Sequence, residues 1–319
     1  MAPIRVGFRG ISANVGPRTD AGGWAKAAHL PYLRKSPLYE IVALCNTSVE
    51  TAKAAIRSHG LPELTKAYGS PEGLAADLDV DLVVCSVNVQ KHYNLIKPAL
   101  LAGKDVIVEW PLGANLKEAE ELTLIAKETG AKTAVGLQAR FAPAVTKVRE
   151  LLAEGRIEPV LSSTFVGAVG LYSGIESVGA GFLMDINTGG NMVTIHCGHD
   201  KNRQIDALLY TLGEFDTFDS RLGIKRPFAK IVNKDGTVAN PALKKMTPDQ
   251  IMVQGELTTG TFVSSHFRGG QPYPGSQDCY GTSTVREEKF AYRAMMLSCK
   301  LGYMIQKSRF RIMRREKWK

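Results

Sequence analysis

The residues best equipped for chemistry stand at the ends of apolar runs. Gly10, Ile11 and Ser12 follow IRVGF, and Glu109, Trp110 and Pro111 close VIVEWPLG. A glycine after such a run lets backbone amides and the positive end of a following helix approach a pyrophosphate. The fit to GxGxxG is partial, because Ser12 stands where the second glycine belongs and the loop is long before Gly23 and Trp24. An ordinary surface loop is the alternative reading. After EIVALC comes Cys45-Asn46-Thr47-Ser48, where an NAD site carries an acid for the ribose hydroxyls. Without that acid a 2′-phosphate meets less repulsion, which slightly favours NADP over NAD as the cofactor. A plain polar turn is the alternative for Asn46.

These positions need a scaffold that brings strand ends together. IRVGF, EIVALC, DLVVCSV, DVIVE and KTAVGL are short runs rich in β-branched residues, separated by helix-like segments. Uninterrupted apolar runs suit strands buried on both faces of a parallel sheet, with helices as crossovers. In NLKEAEELTLIAKETG, Asn115 caps the first turn, Glu118 holds the capping-box position and Gly130 ends the helix. The pattern predicts an α/β fold: an N-terminal doubly wound parallel sheet, a Rossmann domain, over residues 1–142. Beyond Phe141 the rhythm changes. A helix through AVTKVRELLAEG, a strand at VLSSTFVGAV and two strands in IMVQGELTTGTFVSSHFRG joined at Thr259-Gly260 predict a second α+β domain. It is expected on a largely antiparallel sheet over 143–275, truncated at its C-terminal end, with an atypical basic tail at 276–319.

Composition narrows the classes. With 44% hydrophobic and 22% charged residues the chain reads as soluble and globular, and no apolar run has the length of a membrane span. A cytoplasmic location is expected, with no membrane partner. The five cysteines lack CxxC pairing, which argues against a disulfide framework and a zinc site, so no metal is expected. The net charge of +9 is concentrated from Ser276 onward, where 11 Lys/Arg meet 4 Asp/Glu. The body is nearly neutral, so the basicity does not point to nucleic acid.

Three stretches carry a family likeness. SVNVQKHYNLIKPALLAGKDVIVEWPL, VGLQARFAP and GGNMVTIHCGHD together resemble the Gfo/Idh/MocA family, the glucose-fructose oxidoreductase and inositol dehydrogenase group. Within it the chain is most similar to a fungal branch that includes the galactose-regulon repressor of yeasts. The marks of that branch are Val6 to Gly10, Gly23 to Ala25, Glu-Trp at 109 and 110, Leu-Gln-x-Arg at 137 to 140, and Gly198-His199. The resemblance implies a dinucleotide site formed by Gly10, Ile11, Ser12, Asn46, Val87, Asn88, His92, Glu109, Trp110, Gln138 and Arg140, with NAD or NADP as cofactor.

It also implies where catalysis would sit. The family's enzymes carry Glu-Lys-Pro with the lysine between nicotinamide and substrate, and Trp110 occupies that position. An indole donates one hydrogen bond but supplies no charge and no transferable proton. The family's aspartate four residues before its substrate-side histidine corresponds to Ile195, leaving His199 as the catalytic candidate, a neutral imidazole able to take a proton from an alcohol. His196 and His92 are weaker candidates. Trp110, at a parallel strand's carboxyl end, reads as an aromatic wall against the nicotinamide, with a core residue between domains as the alternative. Glu109 reads equally as ligand-facing or structural. Lys201 to Gln204 look like four extra residues against the family pattern, enough to displace His199.

The likeness stops after Gly275. Shifting the reading frame by one base turns CYGTSTVREEKFA into a string that resembles the family's next strand, so the tail from about residue 276 is expected to be out of frame. The final strands of the second domain would then be missing and a sheet edge left bare. Two functions remain open. One is an NAD(P)-dependent oxidoreductase acting on a sugar, polyol or related small alcohol. The other is a non-catalytic dinucleotide-binding regulator that acts by contact with a protein partner, with nuclear residence possible. A homo-oligomer is compatible with both.

Overall fold

The computed structural model describes residues 2–16, 23–198 and 205–270, together with the backbone of a strand at 279–285. Two compact units emerge. One comprises the described residues up to Gly136 with Asn187–Gly190; the other comprises Leu137–Ile186 and the described residues from Asn191 onward.

In the first unit, continuous apolar runs become strands with both faces covered. β1 (Ile4–Arg9), β2 (Tyr39–Cys45), β3 (Lys66–Tyr68), β4 (Leu82–Cys85), β5 (Asp105–Glu109) and β6 (Thr133–Gly136) form one parallel sheet in the order β3-β2-β1-β4-β5-β6. Successive side chains alternate between faces. Val6, Phe8, Leu44 and Val84 therefore enter one apolar layer. Ala43, Cys45, Val83, Cys85, Val106 and Val108 enter the other. This is the expected Rossmann architecture.

The crossovers are helical. A π-turn at Ala25–His29 runs into α1 (Leu30–Lys35), followed by α2 (Val49–Ser58), α3 (Pro71–Ala75), α4 (His92–Leu101) and α5 (Leu116–Thr129). At α5, Asn115 Oδ1 accepts from Glu118 N at 3.0 Å and Gly130 closes the helix at φ +73°. The box expected there is not reciprocal, since Glu118 Oε2 accepts from Ala114 N at 2.8 Å. The reason is local: a Cβ on Gly113 would lie 2.8 Å from Glu118 Cβ, so the bare glycine leaves room for the glutamate to fold back one residue further.

The second unit opens with α6 (Pro143–Ala153), β7 (Val160–Val169) and β8 (Ile175–Ser177), then a series of short 3-10 and π turns and α7 (Ile205–Leu212). Its later strands are β9 (Phe215–Gly223), β10 (Phe228–Val232), β11 (Val238–Lys244), β12 (Gln250–Leu257), β13 (Phe262–Gly269) and β14 (Cys279–Val285). They build a five-stranded sheet, β14-β7-β13-β12-β9, and a three-stranded one, β11-β10-β8. Pairing is antiparallel except for β7 with β13 and β8 with β10. The hairpin expected at Thr259-Gly260 joins β12 to β13, with Gly260 at φ +80°. Its core sets Phe165, Phe267, Ile251 and Leu257 with Met184, Met192 and Leu208.

One expectation needs correcting. The free edge of β7 is not bare, because the backbone of Cys279–Val285 pairs with it antiparallel. A stretch of threonines, serine and valine suits a pleated edge whichever frame produced it. The rest of the tail lies outside the described residues. Among the described residues no helix is long and apolar enough to cross a membrane.

Candidate functional site

The sheet order reverses direction between β1 and β4, the point at which open α/β sheets bind ligands beyond the carboxyl ends of their strands. Gly10 lies there at φ +110°, and a Cβ on it would stand 2.1 Å from the Ser86 carbonyl oxygen. Only glycine fits, for conformational and steric reasons together. Two further bonds hold the turn. Asn46 Nδ2 donates to the carbonyl of fully buried Ile11 at 2.8 Å and to that of Thr51 at 3.3 Å. His59 Nε2 stands 2.8 Å from the Ser12 carbonyl oxygen. Asn46 thus ties the turn after β2 to the turn after β1.

Beyond β4, Val87 is half-buried and Asn88 exposed, at the head of the short turn Val89–Lys91 that leads into α4. His92 is fully buried beneath these loops. Its Nδ1 stands 2.8 Å from the Pro111 carbonyl oxygen and its Nε2 3.0 Å from that of Val87. The ring therefore braces the loops after β4 and β5 against each other. Burial pushes its pKa below the usual histidine value, although both carbonyls and the Glu109 charge oppose that shift.

At the end of β5, Glu109 is buried, and its Oε1 accepts from Trp24 Nε1 at 2.7 Å and lies 2.5 Å from His29 Nε2. His29 packs edge-on against Phe8, ring centroids 6.1 Å apart. Of the two roles open to Glu109, this geometry is that of an anchor. Trp110 is half-buried and its peptide bond to Pro111 is cis. Gly10, Ile11, Ser12, Asn46, Val87, Asn88, Glu109 and Trp110 thus share the carboxyl edge of one sheet. Trp24 and His29 belong to that edge too; the GWA element marks Trp24 in the sequence, and nothing there marks His29.

Gln138 and Arg140 lie in the second unit, on the 3-10 turn Gln138–Phe141. Arg140 grips Asp206 at the start of α7 with Nε at 3.0 Å and Nη2 at 2.5 Å from Oδ1. Its guanidinium also sits 5.1 Å from the Tyr210 ring. Ile195 and His196 belong to a π-turn, Met192–Cys197, whose cap Asn191 accepts from Val193 N at 2.9 Å and Thr194 N at 3.4 Å. Tyr172, fully buried at φ +62°, has its hydroxyl 3.1 Å from His196 Nδ1. No sequence signal marked that pair. His199 and Lys201 to Gln204 lie outside the described residues. Among the described residues no group of three or more His, Cys, Asp or Glu could hold a metal ion.

Comparison with known proteins matches both units. Residues 21–137 match the GFO_IDH_MocA oxidoreductase family with its NAD-binding Rossmann fold, and residues 143–280 match the C-terminal domain of Gal80p. "Dehydrogenase aclE" of Aspergillus oryzae is 36% identical over 257 residues, covering 80% of this chain and 67% of that protein. The galactose/lactose metabolism regulatory protein GAL80 of Saccharomyces cerevisiae is 31% identical over 281 residues, 85% of this chain and 62% of its own length. The chain therefore spans about two thirds of these relatives. A crystal structure of a super-repressor mutant of Gal80p from Saccharomyces cerevisiae superposes with a TM-score of 0.80 at 28% identity, over 92% of this chain and 74% of that one. Levoglucosan dehydrogenase in its apo form shares the fold, with a TM-score of 0.72 at 19% identity over 89% of this chain and 72% of that one.

Proposed function

The chain belongs to the Gfo/Idh/MocA oxidoreductase family and carries a Gal80-like C-terminal domain, and we propose that it binds NAD(P) at the carboxyl edge of its parallel sheet for hydride transfer with a sugar, polyol or related small alcohol. The supporting observation is the Gly10 turn at the switch point, where a Cβ would collide with Ser86 and backbone alone can line the approach of a pyrophosphate. Gly10 to Ser12 would hold the phosphates, Asn46 the ribose, and Val87, Asn88 and Trp110 the nicotinamide side. When bound, the nicotinamide supplies the hydride donor or acceptor.

The chain's own groups supply the remainder. Trp110 offers an apolar wall and one N–H, which keeps water from a ring without charging it. Glu109 is committed to Trp24 and His29, so it does not serve as the base. That role falls to His199, the imidazole that the family pattern places on the substrate side.

A second reading has its own support. Trp110 and Ile195 put neither a cation nor an acid where the family's enzymes carry them, which favours a dinucleotide-binding regulator whose output is contact with another protein. Titrating NADH and NADPH under tryptophan fluorescence, then screening sugars and polyols for cofactor turnover, separates the two. Turnover supports the oxidoreductase. Saturable binding without turnover across the panel supports the regulator, and absence of binding overturns both.

A further inference from the structure

We propose that Arg9 receives the 2′-phosphate of the dinucleotide, so that the chain selects NADPH over NADH; this rests on the dinucleotide reading above. Arg9 is the last residue of β1, and its side chain runs sideways under the end of β2. There Nη1 donates to the Asn46 carbonyl at 3.3 Å and to Cys45 Sγ. The residue is only 9% exposed, yet among the described residues no carboxylate pairs with its guanidinium. Nε and Nη2 make no hydrogen bond among those residues. A largely buried guanidinium with unpaired donors is stabilised when an anion meets it.

Its position names the anion. Asn46 is the first residue past β2, where dinucleotide folds recognise the adenosine ribose, and a neutral carboxamide there repels no phosphate. The next element is α2, ten residues long, entered through Ser48, whose side chain accepts from Thr51 N. Its positive end adds to the field of Arg9 at that corner. A planar guanidinium with two free donor positions matches phosphate oxygens better than any other side chain.

The test uses the full chain and the dissociation constants of NADPH and NADH, with displacement by 2′,5′-ADP and by 5′-AMP as probes of the adenosine end. NADPH is expected to bind at least about tenfold tighter than NADH, and 2′,5′-ADP to displace better than 5′-AMP by a similar factor. Arg9→Met should collapse the NADPH to NADH ratio by about tenfold or more. Arg9→Lys, which keeps the charge but loses the planar fork, should lower the ratio by a smaller factor, so the inference stays decidable if Arg9→Met does not fold. Equal or tighter NADH binding by the unaltered chain overturns the inference, as does an unchanged ratio in the folded variants, while leaving dinucleotide binding intact. A chain that binds neither nucleotide overturns the dinucleotide reading itself and this inference with it.

Discussion

Trp24 Nε1 donates to Glu109 Oε1 at 2.7 Å, joining residues 85 positions apart in the chain. His29 Nε2 meets the same oxygen at 2.5 Å. The GWA element after the first loop and the Glu-Trp-Pro element after β5 are therefore two halves of one bracket, which fixes the helix start following the glycine turn to the strand end bearing Trp110.

Removing the bracket's acceptor should destabilise the first unit. Glu109→Ala leaves an indole N–H and an imidazole without their partner in a mostly buried place, at a cost of about 1–3 kcal/mol. Glu109→Gln keeps an oxygen for Trp24 and should cost less than half as much. Urea denaturation followed by circular dichroism measures both, and equal losses for the two variants would show that Glu109 is not acting as the acceptor.

Gly10→Ala should be among the more damaging exchanges of a small residue in the chain. The added methyl meets the Ser86 carbonyl at 2.1 Å and forces φ +110° on an alanine, so a loss of about 2–4 kcal/mol is expected. Gly103→Ala also meets a positive φ, +70°, but nothing lies within 4 Å of its Cβ. It should lose roughly 1 kcal/mol, and the gap between the two melting temperatures isolates the collision.

Stability should fall on mild acidification because of His92. Burial holds its folded pKa below the ordinary value of 6.5, so below that pH the unfolded chain takes up a proton that the folded chain refuses. The contribution is fully present above about pH 6.5 and is lost as pH falls toward the folded pKa. His92→Gln should flatten the dependence of melting temperature on pH between about 5 and 7; an unaltered slope would contradict this assignment.

Two ion pairs of the second unit should differ sharply in what their loss costs. Lys245 Nζ and Asp249 Oδ2 are 3.2 Å apart with both side chains wholly buried. Burial alone would raise Asp249, but the amides of Lys225 and Arg226 and the Lys245 ammonium hold it below the usual carboxylate range. Lys245→Met leaves that charge uncompensated and should cost about 3–5 kcal/mol. Arg156→Ala, which removes an exposed pair with Glu154 at 3.6 Å, should cost under about 1 kcal/mol. Chemical denaturation of both variants gives the comparison.

The strands of the first unit were legible because parallel strands covered on both faces read as unbroken apolar runs, and the α5 boundaries because Asn115 and Gly130 act locally. β3, only Lys66–Tyr68, has no run to announce it. The site was legible as a set of strand ends but not as a bonded network. Neither the Trp24, His29 and Glu109 bracket nor the burial of Arg9 beside Asn46 has any local periodicity, since each depends on strands that meet only in the sheet. Lys245 and Asp249 carry helical spacing yet lie between β11 and β12, where tertiary packing sets the pairing. Tyr172, with its positive φ, breaks the residue preference that makes turns readable.

The central claim is that the carboxyl edge of the parallel sheet binds a dinucleotide, with Trp110 beside the nicotinamide. Its most direct test is titration of the full chain with NADPH, read by tryptophan fluorescence and by calorimetry. A saturable quench should accompany calorimetric binding, and Trp110→Phe should lose most of the quench while calorimetry still records binding. No saturable response to NADPH or NADH by either method would contradict the claim.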